Sequence, residues 1–206
     1  MKATMKTLSA ILVCYFISTI QMYGENIQRP ESENYVKGVE ALNEGNPEAA
    51  YTYLNAEINE HPDNGYAHCY MALICNFCND TKLALKALNS SLELIPEADT
   101  EYRSFAHYSR GVLLSNLKMW ERAEADLNEA IRLNPEDVEN YKSRAQLYFE
   151  TERYEESLDD LTRALKLDSK ADVNDLVLQL MAVAPTSEFM ERITATYQQL
   201  DQVTIH

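Results

Sequence analysis

Glycine and proline are scarce in this chain, with 5 and 6 copies among 206 residues. So few backbone breakers argue against a turn-rich all-β fold and for a helical one. Basic side chains are also in short supply: 18 Lys and Arg stand against 33 Asp and Glu, a formal charge of −15. A chain without a basic footprint is a poor partner for nucleic acid or for an anionic membrane surface. No Gly-rich phosphate loop, nucleophile elbow or metalloprotease signature occurs. No isolated carboxylate pair sits in an apolar setting where general acid–base chemistry could arise. What is present suits a folded domain: 46% apolar and 25% charged residues exclude wholesale disorder. The length allows one domain, or one repeat array, plus a short appendage.

Lys2 and Lys6 precede an uncharged stretch, Leu8 to Ile20, that reads LSAILVCYFISTI. A basic start before a short apolar core is the pattern of a secretory signal, and thirteen residues fall short of the roughly 20 needed to span a bilayer. Residues 1–24 are therefore expected to be a signal peptide cut after Gly24, although Met22 is a poor match to the usual small residue. Residues 25–30 then form a linker, and the mature protein is periplasmic or secreted. Two alternatives stay open: an uncleaved membrane anchor extending to Tyr23, and a lipid-bearing Cys14.

Internal repetition organises the rest. Pro62 and Pro96 stand 34 residues apart, and each closes an apolar helical run, AEINEHP and LELIP. Pro135 closes a third run, AIRLNP, after 34 residues plus a five-residue insert. This spacing gives four repeats, 31–64, 65–98, 104–137 and 138–171. Matching offsets agree in kind. Gly38, Ala72, Gly111 and Ala145 share one small slot. Ala50, Ala84, Ala123 and Ser157 share a second, and Leu54, Leu88, Leu127 and Leu161 follow four residues later. In the third repeat Ala106, Arg110, Leu113, Leu114 and Leu117 recur at helical steps, and a second helix runs over roughly 120–133. The first repeat turns at Gly45–Asn46–Pro47, where Gly tolerates the bend, Asn caps and Pro suits the first helical position. Beyond 171 the register fades. Val173, Leu176, Val177, Leu180 and Met181 form one stripe, and Phe189, Ile193, Tyr197 and Leu200 form another after Pro185. Residues 172–206 read as a pair of capping helices, which the exposed end of a repeat array requires. A partner-binding terminal helix is the competing reading.

The 34-residue period with two helices per unit resembles the tetratricopeptide repeat (TPR), W-x₂-L-G-x₂-Y…A-x₃-F…P. His68 and His107 stand in its aromatic opening slot, and Ser169 replaces the closing Pro of the fourth repeat. The resemblance implies an all-α, right-handed superhelical solenoid of four helix pairs with a C-terminal cap, and a protein-binding role. Some members grip a peptide carboxylate with Lys, Asn and Arg from successive first helices. The matching slots here are Tyr35, Val39, Tyr70, Phe105 and Ser109, or Cys69, Leu73, Ser109, Glu139 and Ser143 one repeat later. Neither set supplies a cation or a matching Asn, so that clamp is not expected.

The inner face is instead aromatic. Tyr35, Tyr66, Tyr70, Phe77, Phe105 and Tyr108 are the candidate lining of a concave groove for an apolar or aromatic protein segment. Half-buried scaffold is the other reading of these rings. The fourth repeat offers Glu139, Lys142, Gln146 and Glu150 instead, and the first repeat carries eight acids and one base. Cys75 and Cys78 lie one helical turn apart, but mid-helix geometry disfavours a disulfide, and no electropositive setting activates them. A metal site using His68 with these cysteines is disfavoured because residues seven apart on a helix are about 10 Å apart. No cofactor or metal is expected. The residues thus describe a non-enzymatic adaptor or assembly factor. The alternatives are a self-associating structural subunit, a possible homo-oligomer, and a thiol-redox protein acting through Cys75 and Cys78. Sequencing the N-terminus of the mature protein should find residues 1–24 gone, and a chain that starts at Met1 in the cytoplasm would refute export.

Overall fold

The computed structural model describes residues 27–183 and 186–203, with the side chains of 197–203 excepted. The expected signal peptide, Cys14, Pro185 and the side chains of Tyr197 and Leu200 lie outside the described residues. All regular structure among the described residues is α-helical. The helices are α1 (Glu33–Asn43), α2 (Pro47–Glu60), α3 (Gly65–Phe77), α4 (Thr81–Leu94) and α5 (Thr100–Asn116). They continue with α6 (Trp120–Leu133), α7 (Val138–Glu150), α8 (Tyr154–Leu167), α9 (Asn174–Val183) and α10 (Ser187–Val203). The chain divides into two compact units, one up to Ser109 and one from Arg110 on, with the boundary inside α5.

Each helix pair is built from the same parts. Gly45, Asn79, Lys118 and Glu152 all take positive φ, between 59° and 71°, at the turn between first and second helix. The next residue in each turn sends its N–H back into the first helix: Asn46 to Ala41 O, Asp80 to Cys75 O, Met119 to Leu114 O and Arg153 to Tyr148 O, all at 2.8–2.9 Å. This is a Schellman-type ending repeated four times. Only the first repeat uses glycine there, so the turn is imposed by packing as much as by backbone preference. Second helices then start on side-chain caps where the sequence supplies them, with Asn46 accepting from Ala49 N at 3.1 Å and Asp80 from Leu83 N at 3.0 Å.

The shared small slot is where the two helices meet. A Cβ on Gly38 would fall 2.6 Å from Leu54 Cγ, and one on Gly111 2.9 Å from Leu127 Cγ and 3.2 Å from Ala123 O. Leu54, Leu88, Leu127 and Leu161 are all buried. In the fourth pair Ser157 fills its slot and donates its hydroxyl to Ala145 O at 2.8 Å. The five-residue insert, 99–103, is no loop. It becomes an added helical turn, so α5 has 17 residues where α3 and α7 have 13.

In the C-terminal unit α9 and α10 pack on α8. Val177, Leu180, Phe189 and Ile193 share one buried cluster with Ala145, Leu158, Leu161 and Leu165. Arg192 on α10 adds ion pairs to Glu155 and Asp159 on α8. A chain truncated after Ala171 loses this apolar cover, at roughly 2–5 kcal/mol for each large contact removed. Its urea midpoint should fall well below that of the full chain, and an unchanged midpoint would show that 172–206 caps nothing.

Candidate functional site

The six candidate rings all lie on first helices of the N-terminal unit: Tyr35 on α1, Tyr66, Tyr70 and Phe77 on α3, Phe105 and Tyr108 on α5. The fold brings Tyr35, Tyr66 and Tyr70 together around a seventh ring, Tyr102. Ring centres are 6.1 Å apart for Tyr35–Tyr70, 4.8 Å for Tyr66–Tyr102 and 6.1 Å for Tyr70–Tyr102. Phe105 and Tyr108 pair separately at 6.3 Å. Phe77, at the end of α3, joins neither group and is 41% exposed. The other five candidates and Tyr102 keep only 2–9% of their surface. Tyr102 is invisible to the 34-residue register because it sits in the insert, yet it stands one helical turn before Ala106, a spacing that marks it as inward-facing.

The phenols are hydrogen-bonded rather than ionised. Tyr70 and Tyr102 share a hydrogen bond at 2.8 Å, and Tyr66 donates to Asp99 Oδ2 at 3.0 Å. Burial pushes the Tyr35 phenol up to about 12 and raises those of Tyr66, Tyr70 and Tyr102 further. These groups therefore act as neutral donors throughout the physiological range.

Asp99 gives this face a fixed charge. Only 1% exposed, it caps α5 by accepting from Tyr102 N at 3.2 Å and also receives the Tyr66 hydroxyl. Its counter-ion is Arg29, whose Nε lies 3.4 Å from Asp99 Oδ2 and whose Nη2 lies 3.1 Å from Glu101 Oε2. The Arg29 guanidinium also stacks on Tyr102, 4.6 Å from the ring centre. Burial raises the Glu101 carboxyl, with Arg29 pulling against it. Arg29 belongs to the stretch that reads as a linker, and nothing in the periodicity marks it.

The C-terminal unit has a different polar device. Arg110 grips Asp126 through two bonds of 2.7 and 2.8 Å, and Arg144 grips Asp160 in the same way at 2.8 and 2.7 Å. Both pairs join the first helix of a repeat to its second. The same slots hold Lys37 and Tyr53 in the first repeat, where the ammonium stands 5.7 Å from the ring centre, and Met71 and Ala87 in the second. Arg153 stacks on Tyr148 at 4.1 Å and pairs with Glu124 at 2.8 Å. Along α7, Glu139 and Lys142 pair at 2.8 Å, and Gln146 bonds Glu150 at 3.0 Å.

Of the cysteines, Cys69 neighbours the tyrosine cluster, close enough to interact electrostatically with Tyr35, Tyr70 and Asp99. Cys69, Cys75 and Cys78 are free thiols on or beside α3, the first two buried and the third exposed. Burial pushes Cys69 up to about 12 and raises Cys75 as well, which lowers the thiolate fraction that redox chemistry needs. His68 makes a 3.0 Å contact through Nε2 with Pro62 O. Among the described residues no three His, Cys, Asp or Glu side chains are grouped to hold a metal ion, and no helix is long and apolar enough to cross a membrane.

Two stretches, 104–137 and 139–170, match family models of the tetratricopeptide repeat. A lipoprotein NlpI homolog of Haemophilus influenzae is 31% identical over 87 residues, 42% of this chain and 28% of its own length. Human tetratricopeptide repeat protein 6 is 24% identical over 143 residues, 69% of this chain and 26% of its own length. The chain thus spans about a quarter of the length of the curated relatives it matches. Among solved structures, MamA from Desulfovibrio magneticus RS-1 aligns with a TM-score of 0.67 and 19% identity, covering 84% of this chain and 96% of that one. YrrB, described as a TPR protein with an unusual peptide-binding site, aligns with a TM-score of 0.60 and 20% identity, covering 71% and 73%.

The Arg–Asp grips make a prediction about stability. In Asp160→Ala the Arg144 guanidinium keeps its contact with Asn128 but loses both charged bonds in a half-buried setting. Unfolding in urea should show a loss of about 2 kcal/mol. Glu150→Ala on the exposed end of α7 should stay within about 0.5 kcal/mol of the parent. Equal effects for the two variants would remove the grip from the account of stability.

Proposed function

We propose that this tetratricopeptide-repeat protein is a non-enzymatic adaptor or assembly factor that receives a segment of a protein partner on the aromatic face of its N-terminal unit. The observation that supports this reading is the continuity of the ring contacts across three successive first helices, α1, α3 and α5. The rings are large and rigid, as interface anchors are, and a partner would meet the 2–9% of their surface that stays exposed, with the more accessible Phe77 at 41%. The likeness to YrrB, whose description names a peptide-binding site, agrees with a peptide ligand. The reading divides the chain into repeats 31–64, 65–98, 104–137 and 138–171, with 172–206 as cap. It places the protein in an exported compartment, in keeping with the basic and apolar start of the sequence and with a lipoprotein among its relatives. The reading assigns no role to redox chemistry, in keeping with burial that raises the Cys69 and Cys75 thiols and lowers their thiolate fraction.

The test begins with affinity capture from the native envelope to identify a partner. Binding is then compared for Tyr35→Ala, Tyr108→Ala and Glu40→Lys, each first checked for native helicity. A desolvated aromatic anchor contributes about 2 kcal/mol, so each ring variant should bind about thirtyfold more weakly. Glu40→Lys should change affinity little at moderate salt. Folded ring variants that bind undiminished would assign these side chains to the scaffold alone.

A further inference from the structure

We propose that the turn edge of the first two repeats is the interface of a symmetric dimer, in which Phe77, Lys82, Leu83 and Lys86 of each copy meet Glu44 and Glu48 of the other. This goes beyond the proposed function and does not rest on it. The dimer withdraws Phe77 from the aromatic face, and the rings that test the partner reading, Tyr35 and Tyr108, are left untouched.

These side chains lie on or beside one edge of the N-terminal unit because the connections between successive helices are short. Residues 44–46, 61–64 and 78–80 link α1 through α4, so neighbouring helices run antiparallel, and the ends of α1 and α3 lie with the starts of α2 and α4. At this edge the second repeat departs from the other three. The slot of Phe77 holds Asn43, Asn116 and Glu150 elsewhere, yet here it holds a ring that is 41% exposed. The slot of Lys82, in the first turn of the second helix, holds Glu48, Glu121 and Glu155 elsewhere. An acid there suits the helix dipole, and a lysine opposes it. Lys86 follows one turn later on α4, where the other repeats hold Thr52, Ala125 and Asp159, and like charges at that spacing repel. Neither lysine makes an ion pair among the described residues, and Asp80 beside them caps α4 by accepting from Leu83 N at 3.0 Å. Leu83 itself is 40% exposed. Neither the repeat's packing nor the stability of α4 calls for this set.

The chain itself carries the complement of this patch. Glu44 and Glu48 flank the neighbouring turn of the first repeat, both exposed and both without an ion pair among the described residues. Glu44 caps the end of α1, where the dipole favours a base. An edge with acids at one corner and bases at the other is self-complementary, since a twofold rotation lays each corner on its opposite. A second copy therefore relieves both sets of charges, and because the pairing is isologous it closes at two. Elsewhere two chains of formal charge −15 repel, so the lysines fix where the copies can touch. Exposed ion pairs give register more than affinity, and Phe77 with Leu83 supplies the area taken out of water. A foreign acidic protein would satisfy the basic corner alone.

Sedimentation equilibrium of the purified protein, in about 0.1 M salt and from about 5 to 500 μM, should show a mass that rises toward twice the monomer and stops there. Phe77→Ala should weaken the dimer about tenfold or more. Two charge reversals, each checked for native helicity, decide the pairing. Lys82→Glu with Lys86→Glu should leave the protein monomeric, and so should Glu44→Lys with Glu48→Lys, because each sets like charges against like. Mixing the two variants should restore a dimer, since both contacts then join opposite charges again. A wild-type protein that stays monomeric over the whole range would overturn the proposal. So would folded reversal variants that dimerise alone, a mixture that does not associate, or growth beyond the dimer. A monomeric protein whose captured partner is lost on reversing the two lysines would assign the basic corner to that partner and overturn the dimer.

Discussion

The close approach of two helices at one small-residue slot is the constraint on which the rest of this structure depends. A Leu from each second helix sits over that slot, and at Gly38 the fit leaves no room for even a methyl group, with Leu54 Cγ 2.6 Å from where Cβ would stand. The second and fourth pairs admit Ala at the same place. Pair geometry therefore differs by about a methyl group between repeats, while the turn that joins the two helices stays the same. Lys118 and Glu152 accept a left-handed backbone at φ 59° and 61° because the turn is fixed from both sides by this packing. An isolated pair could not bear that cost, since its apolar face would remain in water. Stacked neighbours supply the burial that makes the turn affordable.

The fold was legible because its constraint is periodic. Proline spacing, the small slots and the buried Leu series all repeat at 34 residues, and side chains that serve packing must return at the packing period. The site was only half legible for the same reason. Tyr35, Tyr66, Tyr70, Phe105 and Tyr108 occupy repeat slots and could be found. Asp99, Glu101 and Tyr102 occupy the insert, which adds a turn to α5 and falls outside any register. Arg29 lies before the first repeat, and its contacts at separations of 70 and 72 residues leave no local trace. Burial of the rings was legible only as one of two open readings, groove lining or half-buried scaffold. A slot states which way a side chain points and says nothing about what lies over it.

The two units solve a common problem with different chemistry. In the third and fourth repeats the slots joining first to second helix hold Arg–Asp grips, which are specific in geometry and offer little net gain over apolar packing. In the first and second repeats the same slots hold Lys37 over the Tyr53 ring and Met71 with Ala87. The stretches that match the family models, 104–137 and 139–170, are those with the grips. The N-terminal unit departs from the pattern where the insert, the buried Asp99 and the tyrosine cluster gather. Local departures from an otherwise consistent plan are where function is expected to reside, because packing alone does not require them.

The chemistry of that departure separates shape from charge. Burial holds the phenols of the tyrosine cluster neutral, and the hydroxyls of Tyr66, Tyr70 and Tyr102 bond within it, with little sensitivity to pH in the physiological range. Asp99 and Glu101 add charge at one edge, and a charge that is nearly buried is screened far less than one on the surface. Arg29 answers that charge from within the chain, so Asp99 is not left unpaired in a dry site. Shape and charge are thus settled by different side chains of one cluster, the rings by packing on one another and Asp99 by its ion pair.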